Sequence, residues 1–130
     1  MRALALALLL ALATATPARA AGGIYCASPD GTVDVAIGTG RLPILGVISA
    51  RVRVDDARWA TSASDGETPI AVGQASNLPD GFRIDFVDED ISEILLSLRA
   101  VSANEGDAAA VAGVLRLPGE DARAVVCEIE

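Results

Sequence analysis

The chain contains no histidine among its 130 residues, and reading it through finds no lysine either. Without histidine there is no Ser-His or Cys-His pair to activate a nucleophile, and no imidazole to bind a metal. Without lysine there is no Schiff base and no Ser-Lys dyad. Neither a P-loop nor a G-x-G-x-x-G fingerprint is present. Aromatic residues are equally scarce: one Trp, one Tyr and two Phe. Paired carboxylates could in principle hydrolyse a glycosidic bond. Tyr25, Trp59, Phe82 and Phe86 nevertheless make a poor sugar platform, since two of them alternate inward on one strand. Carboxylates, arginines and hydroxyls are the whole chemical inventory. The expectation is a protein that binds and does not catalyse, with no cofactor. A hydrolase without a recognisable motif is the alternative on the catalytic side.

Positive charge is also short. Ten arginines face 18 acidic residues, a net charge of −8. Nucleic acid and anionic membrane surfaces both demand a basic patch, so neither is an expected partner. A basic protein or a divalent cation suits the balance better, and solubility alone also explains it.

The first twenty residues read as a targeting segment. A basic start, Met1-Arg2, precedes the uncharged apolar run "ALALALLLALA". "TATPARA" follows, with Ala18 and Ala20 in an A-x-A cleavage pattern. The run is too short for a bilayer anchor. Residues 1–20 are therefore a signal peptide and residues 21–130 one domain. Losing the two leader arginines takes the net charge to −10. The product is exported, with periplasm favoured over medium, and the Ala-, Gly-, Val- and Arg-rich composition suits a bacterium with a GC-rich genome.

Only two cysteines are present. Cys26 lies just inside the expected mature start and Cys127 near the other end. In an oxidising compartment two such cysteines pair. A C-x-x-C redox spacing is missing, and zinc would need more ligands. The reading is a structural disulfide joining the first and last strands.

Between the cysteines, short alternating segments are separated by turn signals. "SPDG" (28–31) and "LPDG" (78–81) are β-turns. "TVDVAI" places Val33, Val35 and Ile37 on one face. "ILGVISARVRVDD" places Ile48, Ala50, Val52 and Val54 inward, and the reading continues that strand through "ARWAT" after a bend at Asp55-Asp56. "GTGRLP" (38–43) and "SASDGETP" (62–69) are loops, and "IAVGQA" is a short strand. "FRIDFV" turns Phe82, Ile84 and Phe86 inward. The segment 88–103 fits a helix over about 91–101 and also a strand from Ile94, with Ile94, Leu96, Leu98 and Ala100 inward. Its matching partner "AAAVAGVLRLP" across "NEGD" favours a hairpin. "LPGED" is a type II turn, and "ARAVVCEIE" the last strand. The expected fold is all-β: a small antiparallel sandwich or barrel of seven to eight strands closed by one disulfide. An α+β domain with one helix is the alternative.

Two clusters stand out as candidate sites. Trp59, Ser62, Ser64, Asp65 and Glu67 form a possible partner-binding face, because tryptophan is enriched at binding hot spots; as the one Trp on an alternating strand, Trp59 also fits the core edge. Asp85, Asp88, Glu89, Asp90 and Glu93 are calcium candidates, since oxygen ligands suffice for that ion. They lack the EF-hand spacing and also suit a solvated acidic turn.

At the first cluster the layout, with the loop "SASDGETPI", resembles the membrane-bound and periplasmic lysozyme inhibitors. Those are small exported β-barrels with cysteine staples and a Ser-Gly-x-x-Tyr-like loop that enters the enzyme. The serines and the glycine are here; the tyrosine is not, and Asp65 separates Ser64 from Gly66. The resemblance implies an inhibitor of a basic enzyme, a pairing that the acidic charge would favour.

Overall fold

A computed structural model describes residues 22–40 and 44–130. The leader reading for residues 1–20 lies outside them. Among the described residues there are ten strands and no helix: β1 (Gly22–Ala27), β2 (Val33–Thr39), β3 (Val47–Val54), β4 (Ala57–Ala60), β5 (Thr68–Pro69), β6 (Ala71–Leu78), β7 (Gly81–Val87), β8 (Ile94–Glu105), β9 (Ala108–Arg116) and β10 (Ala122–Ile129). They form one sheet in the order β5-β4-β3-β2-β1-β10-β9-β8-β7-β6. All neighbours are antiparallel except the short β4–β5 pair, which is parallel.

The sheet curls until its edges nearly meet. β5 and β6 are its two outermost strands, yet only Ile70 separates them in the chain. Ile70 is buried in the core, and its N–H donates to Ala60 O at 3.1 Å. The result is a nearly closed barrel with a single inner face. Strand alternation fills that face with Ile24, Val35, Ile37, Val52, Phe82, Ile84, Phe86, Leu98, Leu115 and Val125.

Two glycines let the sheet bend. A Cβ on Gly81 would meet Ala100 O at 1.9 Å, and one on Gly113 would meet Arg99 O at 2.0 Å. Gly81 on β7 pairs with Val101 and Gly113 on β9 with Ala100, so the two flank β8 one residue apart. The backbones of the three strands crowd there as a sharply curved sheet requires, and only glycine fits.

The all-β expectation holds, and the helix over 91–101 is absent: β8 is a strand from Ile94, hairpinned to β9. Three details differ. The strands number ten, because β4 is a separate element and the segment read as a loop over 62–69 contains two-residue β5. "ARWAT" does not prolong β3. Asp55-Asp56 is a two-residue hairpin turn that pairs Val54 with Ala57, and Asp55 adopts φ 50° there. Ile48 and Ile94, expected inside, are 65% and 55% exposed. Both misplacements have one cause. Register shifts between Gly38 and Thr39 and between Phe86 and Val87 insert an extra residue near the start of β3 and of β8. A bulge flips the alternation on its far side.

Among the described strands β1 and β10 meet mid-sheet at the one antiparallel seam without a connecting loop. Cys26 and Cys127 lie directly opposite each other there, with Cα atoms 4.0 Å apart, and are joined as a disulfide. Both are buried in the core. The disulfide does for this seam what a hairpin turn does for the others.

Candidate functional site

The face anticipated around Trp59 is divided by the fold. Trp59 pairs with Val52 across β3–β4 and packs half-buried against the core, so it is a core-edge residue. Ser62, Ser64 and Asp65 are on the surface: Ser64 and Asp65 are exposed in the loop before β5. Glu67 organises that loop. Its Oε1 accepts from Ser64 N–H at 2.9 Å, while Glu67 N–H donates to Ser64 O at 3.0 Å and Arg51 pairs with its carboxylate at 3.1 Å. The Ser64 N–H, then the Ser64 hydroxyl and after it the positive charge of Arg51, hold its pKa below the usual glutamate value.

The acidic run after β7 is likewise dispersed. Asp85 alternates to the outer face of β7, yet it is only 3% exposed. Ser97 Oγ–H donates to its Oδ1 at 2.5 Å, and Arg83 Nε and Nη2 reach its Oδ2 at 3.1 and 3.0 Å. Asp88 turns back on its own loop. It accepts from Ser92 N–H at 2.7 Å, from Glu93 N–H at 3.1 Å and from the Ser92 hydroxyl. Those bonds, the Ser92 hydroxyl first, keep its pKa low. Glu89 and Asp90 sit at the exposed loop tip and Glu93 at its end. Among the described residues no group of three or more His, Cys, Asp or Glu side chains is placed to hold a metal ion. The five carboxylates are close in sequence and apart in function: one is an outer-face ion pair, one a loop cap.

The structure instead assembles a face that the sequence left unremarked. Cys26 points into the barrel, so its neighbour Tyr25 points out, and that residue is 46% exposed. It lies along β1 over Gly23, where a Cβ would meet the ring and hydroxyl within 3.0 Å. Small residues surround it. A shallow concavity of about 680 Å³ runs from Tyr25 over Ala27, Ala36 and Val126 to Glu128. A second hollow of about 320 Å³, on the other flank, is lined by Tyr25, Gly38, Ser49, Arg51, Thr61 and Ser62. Thus Ser62, of the anticipated face, does share a surface with a tyrosine, though one supplied by β1. The alternation rule could have found it: if Cys26 is stapled inside, Tyr25 must be outside.

No protein-family profile matches this chain, and no curated protein or solved structure matches it either.

Proposed function

We propose that the protein is an exported, periplasmic binding module that engages a basic protein through the outer face of β1 and β2. The observation that carries this reading is Tyr25: a half-exposed aromatic ring set among small residues, between two concavities. Rigid aromatics offer large contact area at little entropic cost, and they anchor interfaces. The acidic chain, at net −8, would steer a basic partner to it. The Cys26–Cys127 bond supports an oxidising compartment. A basic enzyme such as lysozyme is the first partner to try, given the Ser/Gly loop beside Ser62.

The test is capture from a periplasmic extract, with lysozyme titrated in parallel, using the wild type, Tyr25→Ala and Ser64→Ala. A basic protein held by the wild type and lost with Tyr25→Ala supports the reading, as does weakening at raised salt. The same set of proteins captured by all three forms would overturn it. A calcium-dependent rise in melting temperature would redirect attention to the acidic segment after β7.

A further inference from the structure

On the far side of the barrel, three of the protein's few arginines converge where local electrostatics argue against it. Strand register sets Arg83 of β7 directly opposite Arg99 of β8. One step along, Asp85, Ser97 and Arg116 of β7, β8 and β9 form the next row. All five side chains occupy the outer face, since Phe82, Ile84, Leu96, Leu98 and Leu115 take the inner one. Arg83, Arg99 and Arg116 line one hollow together. Like charges directly opposite in a ladder are destabilising. Asp85 relieves only part of this, and its carboxylate is committed to Arg83 and Ser97. Elsewhere Arg51, Arg53 and Arg123 each have an acidic partner, and Arg58 stands alone among the described residues. Arg99 and Arg116 have none among the described residues, in a chain with a large excess of carboxylates.

The cluster also has the shape of a site. Hollows of about 220 and 150 Å³ adjoin it and share Arg83, Ser97 and Arg116 as walls; the larger is floored by Leu95 and Leu117, the smaller by Val114. Buried Asp85 fixes the Arg83 fork from beneath, which is how a guanidinium is pre-organised for a second anion. Three positive groups less one carboxylate leave a local charge of about +2, suited to a dianion.

We infer that Arg83, Arg99 and Arg116 form a binding site for a small tetrahedral oxyanion, a phosphate or phosphate monoester group. The site is small because the chain around it is acidic: a polyanion would be repelled beyond the three arginines. It is separate from the Tyr25 face and stands or falls without it.

Thermal melts and isothermal titration at constant ionic strength test the site, with inorganic phosphate, phenyl phosphate, sulfate and nitrate as probes. Saturable binding of phosphate and phenyl phosphate is expected, with nitrate inert. Equal binding of sulfate assigns the site to tetrahedral dianions generally; weaker sulfate binding assigns it to phosphate. Arg99→Gln and Arg116→Gln should each weaken phosphate at least about tenfold, the size of one charge-assisted hydrogen bond. Each should also melt no lower than the wild type in the absence of phosphate, because a like-charge repulsion is removed. Arg58→Gln, an unpaired arginine elsewhere, should bind phosphate as the wild type does. No saturable phosphate binding, or equal weakening by Arg58→Gln, overturns the inference. Heparin binding tighter than phenyl phosphate would also overturn it.

Discussion

Removing the bond between Cys26 and Cys127 should cost this fold more than any single side chain. The bridge spans 101 residues of chain. On the chain-entropy account, releasing a loop that long frees the unfolded chain by about 4.7 kcal/mol at 25 °C. Three features of the structure keep the native-state side of the comparison simple. The cysteines already face each other in a paired ladder, so β1 and β10 keep their hydrogen bonds after reduction. Both sulfurs lie inside, so a Cys26→Ala/Cys127→Ala pair removes core volume as well and should not melt higher than the reduced protein. The seam has no hairpin turn to hold it once the bond is gone. Against a net stability of about 5–15 kcal/mol for a typical domain, a loss near 4.7 kcal/mol is from about three-tenths to nearly all of the total. At about 4 °C per kcal/mol for this size, the melting temperature should fall by about 15–20 °C. The assay is a melt with and without dithiothreitol, after thiol titration of denatured, unreduced protein. Reduction should be slow in the native state and fast in denaturant, because reaching the sulfurs needs the seam to open. Two titratable thiols before reduction would refute the pairing. A reduced protein melting within about 3 °C of the oxidised one would refute the seam argument.

Other outcomes follow from the turns, the bend and the leader. In the β1–β2 turn, the Ser28 hydroxyl, then the Thr32 hydroxyl and N–H, hold Asp30 at a pKa of about 2 against an ordinary 3.8. A carboxylate with a depressed folded pKa stabilises above its unfolded value and loses that contribution as pH falls through the folded one. Melting temperature should therefore be level above about pH 5 and drop between about pH 4 and 2, and Asp30→Ala should lower the plateau and shrink the drop. Gly113→Ala should cost at least about 1–3 kcal/mol in denaturant titration, because its Cβ would press on backbone that cannot rotate away. Gly46→Ala, with open space around it, should stay within about 0.5 kcal/mol. Mass spectrometry of the protein expressed from its full sequence with the leader should place the N-terminus at Ala21; retention of Met1–Ala20 would remove the basis for export.

What could be read in advance was whatever one strand or one turn decides by itself. The alternation of "FRIDFV" is a property of consecutive residues, and it placed Phe82, Ile84 and Phe86 correctly. The disulfide followed from counting, because two cysteines have one pairing. Ile48 and Ile94 were misjudged because a bulge is created by the neighbouring strand, and nothing within "ILGVISAR" announces it. Asp85 shows the same limit at the site. In sequence it stands beside Asp88 and Glu89 as one of a run of acids. In the sheet its neighbours are Ser97 and, one strand further, Arg116, both set by register across hairpins. Three arginines at 83, 99 and 116 are unremarkable in a string of letters. They become a cluster only once β7, β8 and β9 are aligned.

The β1–β10 seam also sets a clock. Among the described residues β1 is the first strand to be made, and β2 can pair with one of its edges almost at once. Its other edge must wait for β10, the last of the described strands along the chain. Throughout that interval a folded β1–β4 portion would present a row of unsatisfied N–H and C=O groups bounded by Ile24 and Cys26, the kind of edge on which a second chain can add. The same portion would carry a free Cys26 thiol whose proper partner does not yet exist, open to pairing with the wrong chain. A polypeptide held extended until β10 has been synthesised never displays either hazard, and when it folds, edge and thiol disappear in the same event.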